Sequence, residues 1–397
     1  MWSTIITVFL IIFGPVNYYI GYRGWQALGR HVRFLNKRLY WAVFCLLACT
    51  FPVAEFGEDV LPSGLMVILT YAGGFWIVAM VYFFLALLFI DLCRLADKKL
   101  KFLPVHVKES TSLQGALGLT VLILVLSLTA YGVWNARNPV ITGYDLTINK
   151  KANGLKKLHI VMVSDVHIGN IVHPARLNPL VDAVNRLQPD LIVFAGDIVE
   201  QFGSAAEQQD FVKALSGMQA RYGKFAVTGN HDRFGRETGN SPDFFSQSGI
   251  TVLRDTSIKV GESMYVIGRN NAGMHRQEAG QVSGQKRDTG SAGNGRRELA
   301  EILQGVDNSL PVILVDHQPV DLENARKNKV DLQLAGHTHN GQVFPINLVT
   351  GQLYETDWGL LTKGAYNLIV SCGYGTWGPP LRIGNHPEIV DIKVQFE

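Results

Sequence analysis

Long apolar stretches dominate the first third of the chain, at roughly residues 2–20, 39–56, 65–90 and 113–134. Each approaches or exceeds the ~20 residues a helix needs to cross a bilayer. Tryptophan and tyrosine stand near their ends, at Trp2, Tyr18, Tyr19, Tyr40, Trp41 and Trp134, as suits an interfacial belt. The pattern predicts four transmembrane helices within residues 1–135. A cleaved signal peptide would account for the first stretch alone, and no small-residue cleavage site follows it.

Near Gly143 the pattern changes. "KKLHIVMVSD" and "DLIVFAGD" read as buried strands. Between them Leu177, Leu180, Val181, Val184 and Leu187 recur at helical spacing, which predicts a helix over 174–187. "GKFAVTGNHD", "MYVIG", "PVILVDH", "DLQLAGH", "AYNLIVSCG" and "EIVDIKVQF" predict further strands. Helices are expected around 208–218, 296–304 and 322–327. This alternation predicts an α/β layered domain over 143–397. Residues 273–295, rich in Gly, Ser, Gln and Arg, predict a mobile loop.

Charged residues are 17% of the 397, low for a soluble protein, and hydrophobic residues 47%. The excess lies in the first third, and the remainder has ordinary soluble composition. A net charge of +3 without a basic-aromatic stripe gives nucleic-acid binding little support. Cys45, Cys49 and Cys93 lie in or beside apolar segments and Cys372 stands alone, so no disulfide framework is indicated.

Basic residues set the expected orientation. Arg23, Arg30, Arg33, Lys37 and Arg38 follow the first stretch, and Arg94, Lys98, Lys99, Lys101 and Lys108 follow the third. The intervening loop has Glu55, Glu58 and Asp59 near it and no Lys or Arg. The positive-inside rule places the basic loops in the cytoplasm and everything beyond Trp134 outside it. Glu55 and Asp91, at span ends, read as interfacial, and nothing in the spans resembles an ion pathway.

Polar residues with chemistry gather at strand ends. Asp165 and His167 close the first strand, Asp197 the second, and Asn230 and His231 the third. His317 ends a later strand and His337 and His339 the next. The carboxyl ends of strands form the functional edge of an α/β sheet. A lone histidine has duller explanations. Asp, His, Asp, Asn-His, His and His-x-His on one edge make a ligand set. In His-x-His on an extended segment both side chains point to one face.

"SDVHIG", "AGDIVE", "TGNHD", "LVDH" and "AGHTH" together resemble the ordered signature of the calcineurin-like metallophosphoesterases. The likeness covers residues 143–397. The closing "GYGTWGPPLRIGNHPEI" resembles the membrane-associated bacterial branch. "GRNN" at 268–271 departs, with amides where relatives often carry a carboxylate. The resemblance implies a four-layer αββα sandwich, preceded here by the four transmembrane helices. It implies two divalent metal ions, one held by Asp165, His167 and His339, the other by Asn230, His317 and His337, with Asp197 bridging. Such a bridge suits the roughly 3.5–4 Å of two-metal sites. Imidazole with carboxylate suits Mn, Fe, Zn or Co.

The implied reaction is hydrolysis of a phosphate ester by in-line attack of a metal-bridging hydroxide on phosphorus. His231 would protonate the leaving oxygen or stabilise the transition state, with Asp232 orienting its ring. Arg269, Trp377 and Arg382 are candidate substrate contacts. Gly336 and Gly341 would let the backbone turn tightly around the histidines. The expected partners are the lipid bilayer and a phosphodiester substrate of lipid or cell-envelope type, met outside the cytoplasmic membrane. A cytoplasm-facing pyrophosphatase acting on UDP-diacylglucosamine is the alternative, and a catalytically silent membrane sensor or scaffold the alternative of another class.

Overall fold

The computed structural model describes residues 2–29, 36–57, 60–169, 176–200, 205–232, 244–271 and 296–397. The expected loop at 273–295 and the basic residues Arg30 and Arg33 lie outside these. So do Glu58 and Asp59. The chain divides into two compact units, Met1–Trp134 with Gly378–Leu381, and Asn135–Trp377 with Arg382–Glu397.

The first unit is helical: α1 (Trp2–Leu28), α2 (Lys37–Phe56), α3 (Ser63–Leu100), the short α4 (Val105–Glu109) and α5 (Thr111–Ala136). The four long helices stand where the four apolar stretches lie. Among the described residues, α2, α3 and α5 are each long and apolar enough to cross a membrane. Trp76 donates to the Asn17 amide oxygen at 3.0 Å, and Phe13, Ala48 and Trp76 pack around that bond. Arg23 belongs to α1 rather than to the loop after it, and pairs with Asp91 of α3. Both side chains of that pair are partly exposed, and each neutralises the other.

The second unit carries two six-stranded sheets. The first runs in the order β1 (Val140–Ile148), β12 (Glu388–Phe396), β2 (Lys157–Val163), β3 (Leu191–Ala195), β4 (Lys224–Val227), β5 (Ile250–Val252). The second runs β10 (Gly359–Lys363), β11 (Tyr366–Val370), β9 (Leu332–Ala335), β8 (Val312–Val315), β7 (Met264–Gly268), β6 (Thr256–Val260). Strands β2 to β5 are mutually parallel, as are β7, β8, β9 and β11.

The apolar runs are continuous because both faces of these sheets are covered. Along β2, Ile160 and Met162 point between the sheets, while Val161 and Val163 point to the other side. That other side is packed by α6 (Leu177–Leu187) through Leu177, Leu180 and Val184, and by α7 (Ala205–Ser216) through Phe211 and Leu215. A short helix α8 (Phe244–Gln247) adds Phe244 and Phe245. The second sheet is covered by α9 (Leu299–Ile302) and α10 (Leu322–Lys327). The result is the four-layer αββα arrangement. A last helix, α11 (Ile346–Leu353), packs no residue into either core.

Candidate metal centre

The expected ligands come from the carboxyl ends of β2, β3 and β4 in one sheet and of β8 and β9 in the other. The two edges meet there. His317, just past β8, donates from Nδ1 to the carbonyl of Ala195, the last residue of β3, at 2.8 Å. The main-chain ladder continues past the strands: the Asp165 amide reaches the Gly196 carbonyl, the His167 amide that of Asp197, and the Gly336 amide that of His317. These bonds keep the loops in register with the sheets.

The backbone is strained where the side chains converge. Asp165, His167, Asp197, His337 and His339 all have positive φ, at 51°, 52°, 50°, 73° and 49°. Such conformations cost residues with a Cβ on the order of 1–3 kcal/mol each and persist where surroundings over-determine them. His-x-His is therefore a pair of left-handed turns, not the extended segment expected. Two glycines permit the close approach. A Cβ on Gly229 would overlap the Asp197 carboxylate, and one on Gly336 would overlap that of Asp165.

Two groups of donors result. Asp165, His167 and His339 form one, and Asp197, His317 and His337 the other, with the ligand atoms of each group within 4.8 Å of one another. In the first, the Nε2 atoms of His167 and His339 lie 3.1 Å apart, and His339 Nε2 is 3.4 Å from Asp165 Oδ1. In the second, His317 Nε2 lies 3.1 Å from Asp197 Oδ2 and 3.2 Å from the side-chain oxygen of Asn230. The Ala195 carbonyl holds the proton on Nδ1, which leaves Nε2 turned toward two oxygens. Lone pairs converging in this way are what a cation neutralises, and a fixed outer hydrogen bond on the far nitrogen is the usual support for a ligating imidazole.

The protonation equilibria tell the same story. Burial alone would lower the His317 pKa, but the Asp197 carboxylate beside it overrides this and pushes it up to about 10. Asp197 is held well below the usual carboxylate range: burial opposes, but the charge and hydrogen bond of His317 prevail. Burial drives His167 down to about 3 and His337 down to about 4, so both are neutral imidazoles at pH 7. Burial and the Asp197 charge raise Asp165 to about 6. The donor set thus fits divalent cations.

His231 sits at the open side. Its amide donates to Asp197 Oδ1 at 2.7 Å, its ring lies 5.3 Å from that of His167, and it stays partly exposed. Asp232 does not orient that ring as expected. Its carboxylate accepts from the amides of Asp197, Ile198, Val199 and Gly229 at 2.6–2.9 Å, and so ties the β3 and β4 loops together. The acid beside the His231 ring is Glu200, 3.8 Å from Nδ1 and 3.9 Å from Nδ1 of His167. Sequence reasoning quoted Glu200 at the end of "AGDIVE" without using it. Its position three residues beyond Asp197 was the available signal.

The other candidate contacts divide. Arg382 is wholly buried, donating to the carbonyls of Cys372, Gly373 and Gly375 and facing His339 Nδ1 at 3.2 Å. It positions the His339 turn and is out of reach of solvent. Arg269 is buried near Asp316, to which Arg296 is also paired. Trp377 alone of the three is exposed, its ring 6.2 Å from that of His231. In "GRNN", Asn270 uses its amide and side chain to hold the Asp255 carboxylate.

A family model described as calcineurin-like phosphoesterase matches residues 158–341, the span from β2 to the His339 turn. A metallophosphoesterase of Aquifex aeolicus is 31% identical over 255 residues, covering 64% of this chain and 90% of that one. The chain belongs to the metallophosphoesterase family. A metallophosphoesterase of Helicobacter pylori is 27% identical over 391 residues, covering 97% of each chain. A zebrafish protein described as a transmembrane protein with a metallophosphoesterase domain is 29% identical over 302 residues, covering 72% of this chain. This metallophosphoesterase spans 65% of that relative's own length. Its apolar helices make it a membrane protein.

Proposed function

We propose that the chain is a membrane-anchored two-metal phosphoesterase acting on a phosphodiester of lipid or cell-envelope type. In this reading residues 1–135 are the membrane region and 143–397 the catalytic domain. Asp165, His167 and His339 would hold one cation and Asn230, His317 and His337 the other, with Asp197 available to both. The single observation that carries the reading is the pair of donor groups brought together at the meeting edge of the two sheets. Mn, Fe, Zn or Co suit imidazole with carboxylate. Bound there, the cations supply Lewis acidity and acidify water.

This chain's own residues do the rest. The Ala195 carbonyl fixes the proton of His317 on Nδ1. The Asp232 carboxylate holds the Asp197 amide, and so the carboxylate above it. His231, on the open side, donates a proton to the leaving oxygen as the P–O bond breaks. The Glu200 carboxylate stands 3.8 Å from Nδ1 of that ring. The basic residues that follow the first and third apolar stretches support a site outside the cytoplasm.

The test is hydrolysis by the Mn-loaded full chain of bis-p-nitrophenyl phosphate, p-nitrophenyl phosphate and phosphodiester lipids in vesicles. Diester hydrolysis, lost in Asp197→Ala, is expected. Equal inactivity of wild type and variant on every substrate would favour the silent scaffold. A reporter fused after Glu397 reads the side of the membrane, and cytoplasmic signal there would favour the pyrophosphatase alternative.

A further inference from the structure

Helix α11 shows an apolar stripe at helical spacing, Ile346, Val349 and Leu353, joined by Leu348. Such a stripe ordinarily faces a core. Here no residue of the helix is buried, and these four side chains are 46–73% exposed. Residues 342–354 contain no charge at all. Contiguous apolar surface of this kind on a folded domain marks a contact site.

The helix is nevertheless fixed in place. Thr350 Oγ1 donates to the Asp357 carboxylate at 2.5 Å, and the Tyr354 amide returns to the Thr350 carbonyl at 3.0 Å. Both ends of the segment lie near the candidate metal centre. The His339 turn leads into it, and the Tyr354 ring beyond it stands 6.2 Å from the ring of His337. Trp358 presents a half-exposed ring while its Nε1 donates to Glu388 at 3.1 Å. An aromatic body with a satisfied polar tip is the chemistry of the membrane interface.

The length of the tether indicates what covers the stripe. Helix α5 ends at Ala136 and β1 begins at Val140. Four residues reach at most about 14 Å at ~3.3–3.6 Å each. A tether this short keeps the domain within reach of a bilayer, and an uncharged apolar face can enter a headgroup layer without desolvating a charge.

We propose that the outer face of α11 docks into the headgroup and upper acyl region of the membrane spanned by the chain's own helices, beside the mouth of the metal centre. The proposal rests on the membrane reading above and deepens it, because it would present lipid phosphoesters to the site.

The experiment uses the full chain in nanodiscs of phosphatidylethanolamine and phosphatidylglycerol. Cys45, Cys49 and Cys93 are changed to Ser, and a spin label is placed at Leu353→Cys or, as control, at Lys327→Cys on α10. The label at 353 is expected to favour oxygen over a nickel chelate by several-fold relative to that at 327. Equal chelate access at both positions, or protection of 353 from both reagents as in a protein contact, overturns the proposal. Photoreactive diazirine lipids on the unaltered chain give a second reading, with adducts expected on the peptide containing 346–353 and their absence counting against the docking. Lipid contact by both methods together with hydrolysis of soluble esters only would uphold the docking and remove the lipid-substrate reading.

Discussion

His317 Nε2 lies 3.1 Å from Oδ2 of Asp197, joining the ends of β8 and β3 across the junction of two sheets. Both groups are essentially withdrawn from solvent, and neither is tolerable there without an opposite charge. The relationship makes the centre sensitive to metal, to pH and to single substitutions in ways that can be measured separately.

Asp197→Ala or His337→Ala should remove metal and activity together. Metal content by mass spectrometry and Mn-dependent hydrolysis of bis-p-nitrophenyl phosphate should fall in parallel. Retention of both metals by either variant at wild-type stoichiometry contradicts the assigned ligand set.

His231→Ala should keep its metal and lose rate by about 10²–10⁴-fold, the usual worth of a positioned acid. The loss should be smaller for a p-nitrophenolate leaving group, which needs little protonation, than for an alkoxide. Metal loss equal to that of Asp197→Ala would end the acid assignment.

Asp232→Asn should act on stability first. Four amides lose a carboxylate acceptor, whose pKa burial and the Asp197 charge raise to about 7, and hydrogen bonds to it are worth at most the about 1.5–3 kcal/mol each of a fully charged acceptor. Because the loops relax, the net cost should be about 3 kcal/mol, read as a lowered melting temperature. A variant that melts like wild type yet is inactive would restore a direct chemical role for this carboxylate.

The metal-free protein should lose stability as pH rises. The His317 pKa in the fold is about 10, pushed up by Asp197 against the effect of burial, whereas the unfolded value is about 6.5. A raised pKa contributes stability that is complete below about 6.5 and disappears as pH climbs through about 10. Divalent metal competes with that proton, so metal affinity should rise over the same window. Melting curves with chelator and with Mn, taken from pH 6 to 9.5, should diverge. Curves that run parallel would show that His317 does not titrate against the metal.

The fold was largely legible in the sequence. Continuous runs such as "HIVMV" demand a strand covered on both faces, and the helical recurrence of Leu177, Leu180 and Val184 demands a helix on one of them. Helix ends were less legible. The apolar stretch ending near Ile20 gives no sign that α1 continues through Arg23, because Arg23 is neutralised by Asp91 from a helix far along the chain. β1, which begins at Val140, was hidden because its half-exposed side chains give a weak apolar signal.

The seven candidate ligands could be picked out along the chain, since Asp, His and Asn at strand ends need only local sequence to be seen, and the fold brings six of them into two groups. What the sequence could not decide was the use of each neighbour. Asp232 beside His231 looked like its partner, but a tight turn sends its carboxylate to four amides while Glu200, from another loop, stands by the ring. Arg382 looked available to substrate and is enclosed behind His339. The stripe on α11 had the spacing of a core helix and faces outward. In each case the residue type fixes which interactions are chemically available, and only the packing of distant segments fixes which groups come close enough to make them.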